Sequence, residues 1–183
     1  VDVDRELVLA LRRRERGALD EVYKVYRDRI WRFLARLARS TAEAEDLFQE
    51  TWLAAARHGH ELREDSDLGV WLYTIARNKH RNSLRSRAFD VGRQIGLERL
   101  VAAPRAAPDE VTELRRELGR VAAALARLPD AHREVLLLCV GERLEPAEVA
   151  RILGIREDAL RKRLSRARAA LGELLDEPSG GLS

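Results

Sequence analysis

The sequence of 183 residues holds a single cysteine, Cys139, and no methionine. One thiol cannot close an internal disulfide, so packing alone must hold the fold. Cys139 lies in the apolar run 135–140 and is expected to pack as a small buried hydrophobe, in a chain whose setting is cytoplasmic. No apolar run approaches the ~18–20 residues that cross a bilayer, and no secretory signal is visible, so neither membrane insertion nor export is expected. The chain opens on Val1, and its initiating residue is expected to have been processed away or to lie outside the sequence. Lysine is scarce as well: Lys24, Lys79 and Lys162 stand against 31 arginines, a bias read as GC-rich coding and not as function. No hairpin signature or alternating strand pattern occurs, which leaves an all-α reading.

What is abundant is charge, and it is segregated beneath a formal net charge of +3. Residues 41–67 carry eight acidic side chains against Arg57 and Arg63, a local balance of −6. Residues 71–100 reverse this to +5, and residues 151–170 repeat that figure. Two separated basic stripes predict two contacts with a polyanion, while the acidic block must meet something else.

Periodicity and breakers divide the chain. Helical spacing runs over residues 4–16 and 18–39, the latter through Leu19, Val22, Tyr26, Ile30, Phe33, Leu34 and Leu37. Ser40-Thr41 with Glu43 and Glu45 read as an N-cap and first turn, predicting a helix over 42–57 that ends near Gly59. Residues 58–69 read as a polar loop and 70–87 as a further helix. Gly92, Gly96, Pro104 and Pro108 mark 89–108 as a flexible linker. A second helical unit begins near Asp109 and passes a break at Pro129-Asp130, and residues 178–183 are expected to be mobile. The predicted fold is all-α: two small helical domains, 1–88 and 109–177, joined by the linker, the second containing a helix-turn-helix.

That motif is carried by residues 145–171, EPAEVARILGIREDALRKRLSRARAAL. Val149, Ala150 and Leu153 supply an apolar face, Gly154 sits where the turn needs positive φ or close approach, and Ile155 plugs the corner. Ala159, Leu160, Leu164, Ala167 and Leu171 read as the inward stripe of the second helix. Its outer side carries Arg161, Lys162, Arg163, Arg166 and Arg168, a density suited to phosphate neutralisation. A solvated helix closing a bundle is the plainer reading, and the Ala-x3-Gly-Ile-x4-Leu framework weighs against it.

Two upstream segments add chemistry. In AEDLFQETWLAA, Glu45, Asp46, Gln49 and Glu50 form a polar cluster beside Leu47, Phe48, Thr51, Trp52 and Leu53. A charged ridge with a neighbouring Trp and Phe suits docking of a basic partner, with an ordinary amphipathic helix as the alternative. In WLYTIARNKHRNSLRSR, Thr74, Arg77, Asn78, Arg81, Asn82 and Arg85 are placed on one face, opposite Leu72, Ile75 and Ala76. Such a face joins phosphate-binding arginines to two amides able to hydrogen-bond base edges. Trp71 and Tyr73 are placed to stack on exposed bases, although core packing is the simpler assignment for Trp71.

Taken in order, AEDLFQETWLAA, WLYTIARNKHRNSLR and LARLPDAHREVLLLCVGERLEPAEVARILGIREDALRKRLSRARAAL resemble a bacterial sigma factor of the extracytoplasmic-function type, in the sigma-70 family. The resemblance spans residues 18–175. It implies an alternative transcription initiation factor, not an enzyme, with no cofactor. Its partners would be core RNA polymerase, through the β′ clamp helices and the β flap, then promoter DNA and an anti-sigma protein. Residues 1–88 would be a region 2-like unit that docks on polymerase and reads the minus-ten element as melted single strand. Residues 109–177 would be a region 4-like unit that reads the minus-thirty-five element as duplex. Carried over, the resemblance assigns Glu45, Asp46, Leu47, Gln49, Glu50 and Trp52 to polymerase docking. It assigns Trp71, Tyr73, Arg77, Asn78, Arg81, Asn82 and Arg85 to the minus-ten strand, and the loop 61–68 to capture of a flipped base. Arg156, Glu157, Arg161, Lys162 and Arg166 fall to the minus-thirty-five element. Two departures stand out: Asn82-Ser83 where many members carry Asp-Tyr, and Pro146-Ala147-Glu148 where a Ser-x-x-Glu helix start is usual.

Two other function classes fit parts of the sequence. A stand-alone helix-turn-helix regulator would share the C-terminal unit, yet it would have no use for the acidic docking helix. A metal site would recruit Glu43, Glu45, Asp46 and Glu50, or His58 and His60 with Cys139, but the carboxylates lack a His set and His58-Gly-His60 lacks a second ligand pair. No metal is expected.

Overall fold

A computed structural model describes residues 3–91 and 113–176, so the expected tail 178–183, and most of the expected linker 89–108, lie outside the described residues. The first unit comprises α1 (Val3–Arg12), α2 (Ala18–Leu37), α3 (Thr41–His58) and α4 (Leu68–Val91), and the second α5 (Glu113–Arg127), α6 (Asp130–Leu136), α7 (Pro146–Leu153) and α8 (Glu157–Asp176). Among the described residues there is no strand.

Local chemistry sets the boundaries. α1 stops at Arg12, short of the expected 16, because Arg14 and Gly17 adopt left-handed φ of 54° and 80°. Ser40 caps α3 by accepting from the Glu43 N–H at 3.2 Å, and the Glu43 carboxylate reaches back to the Arg39 N–H at 2.8 Å. Between α3 and α4 the chain is not all loop: a 3-10 turn spans Gly59–Glu61. Gly59 marks a close helix approach, since a Cβ there would meet the Leu11 side chain at 3.4 Å. Asp67 then caps α4 by accepting from the Val70 N–H at 3.0 Å, which starts that helix at Leu68. α4 also runs on to Val91, into what reads as linker.

α6 does not end in a simple cap. It passes into a π turn, Leu137–Gly141, in which the Glu142 N–H donates to the Leu137 carbonyl at 2.9 Å. The extra residue turns Glu142 inward, where it is buried, and leaves Val140 outside.

In the first unit Val22, Tyr26, Ile30, Phe33, Leu34 and Leu37 bury the inner stripe of α2 against Leu47 and Ala55 of α3 and Leu72 and Ala76 of α4. In the second, Leu128, Val135, Leu138, Val149, Ile152, Leu160 and Ala167 do the same. The two cores are continuous, because α7 packs on α4 and the α6 end packs on α2. Apolar groups at 3.6-residue spacing leave no choice but to face each other in this way.

Candidate nucleic-acid interface

The C-terminal motif forms as a helix-turn-helix. Pro146 occupies the first turn of α7, and Glu148 accepts from the Glu145 N–H at 2.7 Å, closing the helix start without the usual serine. Gly154 takes a φ of 64°, and the Ile155 N–H returns to the Ala150 carbonyl at 3.0 Å. Leu160 and Ala167 are fully buried and Leu164 and Leu171 half-buried, but Ala159 is exposed, contrary to its place in the expected stripe. Positions 160, 164, 167 and 171 follow the helical repeat, and residue 159 stands about 100° round from it. Arg156, Glu157, Arg161, Lys162 and Arg166 are all exposed. Arg161 pairs with Asp158, and Arg166 Nε donates to the Lys162 carbonyl at 3.3 Å.

On α3, Glu45, Asp46, Gln49 and Glu50 form an exposed ridge, joined by Leu53, whose side is more than half exposed. Glu50 lies 3.2 Å from Lys79 Nζ. Leu47 and Trp52, also assigned to docking, are instead buried. Trp52 belongs to an edge-to-face group with Tyr23 and Phe48, at centroid distances of 4.8 and 6.0 Å, which supports the ridge from beneath. Glu43 faces inward too. Burial alone would raise its carboxyl, but the Arg39 N–H and the Arg87 guanidinium at 2.7 Å outweigh that and hold it below its ordinary value.

The face expected on α4 divides in two. Asn78, Arg81, Asn82 and Arg85 are exposed in a row, at the i, i+3, i+4, i+7 spacing of one helix side. Ser83 turns from the row and donates to Glu43 at 3.3 Å. Tyr73 and Arg77 are buried and unavailable to a strand in this arrangement. Tyr73 packs edge to face on Phe33 of α2, with ring centroids 5.3 Å apart, and Arg77 is enclosed by Glu134 of α6 and the Ile152 carbonyl of α7. Trp71 is half-buried against the core. Asp67, in the loop 61–68, binds Arg151 of α7 at 2.9 Å.

Three charged groups unremarked in the sequence hold this junction: Arg133, Glu134 and Glu142, all buried. Arg133 donates to the Leu37 carbonyl at 3.1 Å, across the two units. Arg133 and Glu134 directly precede the apolar run that begins at Val135, and charges buried beside it need partners. Cys139 is half-buried, and burial pushes its thiol up.

The family model for sigma-70 region 2 matches residues 22–89, and that for sigma-70 region 4 matches residues 118–171. The chain is 34% identical to RNA polymerase sigma factor CnrH of Cupriavidus metallidurans over 160 residues, 80% of this chain and 82% of that protein. It is 31% identical to ECF RNA polymerase sigma factor SigM of Bacillus subtilis over 161 residues, 85% of this chain and 94% of that protein. Among solved structures, CnrH in complex with the cytosolic domain of CnrY matches with a TM-score of 0.74 at 26% identity, covering 97% of this chain and 100% of that one. The sigma factor RpoE in complex with the anti-sigma factor NepR from Bartonella quintana matches with a TM-score of 0.75 at 26% identity, covering 88% and 99%.

Proposed function

Because the chain belongs to the extracytoplasmic-function type of the sigma-70 family and is an alternative transcription initiation factor, we propose how its surfaces divide that work. The exposed ridge Glu45, Asp46, Gln49 and Glu50 docks on the β′ clamp helices, with Leu47 and Trp52 holding it in shape. Asn78, Arg81, Asn82 and Arg85 meet the melted minus-ten strand, and the loop 61–68 takes a flipped base. Arg156, Glu157, Arg161, Lys162 and Arg166 meet the minus-thirty-five duplex, with the β flap held by the same unit. Residues 1–88 and 109–177 are thus two readers joined by 89–108, with a tail from 178. The observation that carries this reading is the exposure of an acidic ridge, an Asn-Arg row and a basic recognition helix on separate elements of one chain.

The chemistry is binding and not catalysis, and it needs no cofactor. Each extruded base costs a few kcal/mol, which contacts to its π-face and edges and to the phosphates must offset. Melted bases expose their π-faces and pairing edges to an amide and guanidinium surface, whereas a closed duplex hides both. Either unit alone has few contacts. Holding both on one polymerase raises the effective concentration of the second contact. The stand-alone regulator reading is not favoured, since it leaves the α3 ridge without a role.

An anti-sigma protein is the proposed inhibitor, supported by the solved complexes of CnrH with CnrY and of RpoE with NepR. The proposed place of action is the cytoplasm, where the template lies; no helix among the described residues is long and apolar enough to cross a membrane. Mixing the chain with core RNA polymerase tests the docking step. Co-elution from gel filtration is expected, and separate elution at micromolar concentrations of both would overturn the assignment.

A further inference from the structure

The helix that carries the acidic ridge and the helix that carries the Asn-Arg row lie side by side, and one ion pair joins the two surfaces. Glu50 Oε2 on α3 lies 3.2 Å from Lys79 Nζ on α4. Glu50 is the last residue of the ridge. Lys79 follows Asn78 and stands one turn before Asn82, on the flank of the row that meets α3. Its side chain is 32% exposed and that of Glu50 is 56% exposed, so both ends of the pair are open to an incoming partner. A second tie between these helices differs in kind. Glu43 meets Ser83 and Arg87, further along α4, with its own side chain buried. Losing the surface pair leaves that tie in place.

We propose that Lys79 is a further contact to the melted strand: Glu50 holds it in the free chain, and core polymerase releases it by taking Glu50. This rests on the assignment of the ridge to polymerase and of the row to the minus-ten strand. Each end of the pair sits on a surface whose partner bears the opposite charge. A basic docking surface supplies a cation that competes with Lys79 for the carboxylate, and a strand supplies a phosphate that competes with Glu50 for the ammonium. Lysine is a point charge with three donors on a flexible stem, so rotation of that stem alone turns Lys79 from Glu50 to a phosphate beside Asn78 and Asn82. The exchange is cheap. An exposed pair is worth no more than about fivefold in an equilibrium, far less than a buried one. The same figure bounds the coupling. Docking should raise affinity for the strand by about two- to fivefold, and the strand should raise affinity for core by the same factor.

Four full-length chains test this: unaltered, Glu50→Gln, Lys79→Gln and the double variant. The probe is a short fluorescein-labelled single-stranded DNA of mixed sequence, read by anisotropy at low salt. In the free chain Glu50→Gln should bind it about two- to fivefold tighter, while Lys79→Gln should change affinity less than about twofold. The double variant should match Lys79→Gln within about 1.5-fold, because the gain needs the lysine. An equal gain in both backgrounds would be the effect of losing one negative charge anywhere on the surface, and it would overturn the proposal, as would no gain.

The second arm repeats the comparison on the complex with core polymerase, with core alone as the blank. There Lys79→Gln should weaken strand binding by about two- to fivefold. An effect no larger than in the free chain overturns release by docking. Circular dichroism should be the same for all four chains, and a loss of helicity in Lys79→Gln would make the pair a structural tie instead. Co-elution of the unaltered chain with core separates the failures. With co-elution intact, only the role of Lys79 fails; without it, the docking assignment fails as well.

Discussion

His80 Nδ1 lies 4.0 Å from Glu134 Oε1, with both side chains buried where α4 meets α6. Burial pushes the imidazole below its ordinary range, against the pull of Glu134, Asp130 and Glu43 and with the push of Arg133. Packing therefore favours the neutral imidazole, and a solvated His80 takes up a proton more readily. Its contribution to stability is present above the ordinary histidine pKa of about 6.5 and is lost as the pH falls through the lowered value. Glu43, whose carboxyl is also held low, contributes with the same sign at more acid pH. Urea midpoints should thus fall from about pH 7.5 to about pH 5. His80→Leu should flatten the upper part of that fall, and an unchanged profile in this variant would remove His80 from the account.

Arg77 and Glu134 form a buried pair, so losing either partner strands the other. Arg77→Met should destabilise the chain by about 3–5 kcal/mol, and adding Glu134→Leu should recover much of that loss. Urea denaturation of the two singles and the double measures the coupling. Strict additivity would mean that the two side chains do not sense each other.

Gly154 holds the turn of the helix-turn-helix at a φ of 64°, with nothing within 4 Å of where a Cβ would stand. The cost of Gly154→Ala is therefore backbone strain alone, about 1 kcal/mol, and Gly154→Asn should cost less. Urea midpoints of the two variants rank them.

Asp46→Lys with Gln49→Ala should abolish co-elution with core polymerase and leave the circular dichroism unchanged, since both side chains are exposed. Loss of helicity would show the ridge to be structural instead.

Arg161→Ala should weaken binding to the upstream element by about 1–3 kcal/mol, concentrated at one base pair, if the guanidinium reads a base edge. Lys162→Ala should weaken binding evenly across sequences and lower its salt dependence, as a phosphate contact does. Competition assays on single-base duplex variants separate the two patterns.

Much of this fold is legible in local sequence. Ser40 with Glu43, and Gly154 after Leu153, set helix ends through contacts within four residues, and spacing alone reveals both. The exposed Asn78, Arg81, Asn82 and Arg85 follow from the same repeat. The burial of Tyr73 and Arg77 does not, because their partners Glu142 and Glu134 lie 69 and 57 residues away. A helix with two buried sides looks, in periodicity, like one with a broad polar face. Glu142 is hidden for another reason: a π turn shifts the register by one residue, which no 3.6-residue pattern anticipates. Leu47 was legible as core, since Ala44, Leu47, Thr51 and Ala55 recur at helical spacing along the buried side of α3.

The central claim is that this chain confers promoter choice on RNA polymerase. Run-off transcription with core enzyme on a library of genomic promoters measures it directly. The expected result is initiation at a small set of promoters only when both core and chain are present, with weak duplex binding by the chain alone. Absence of any transcript that depends on the chain, with active core enzyme, would contradict it.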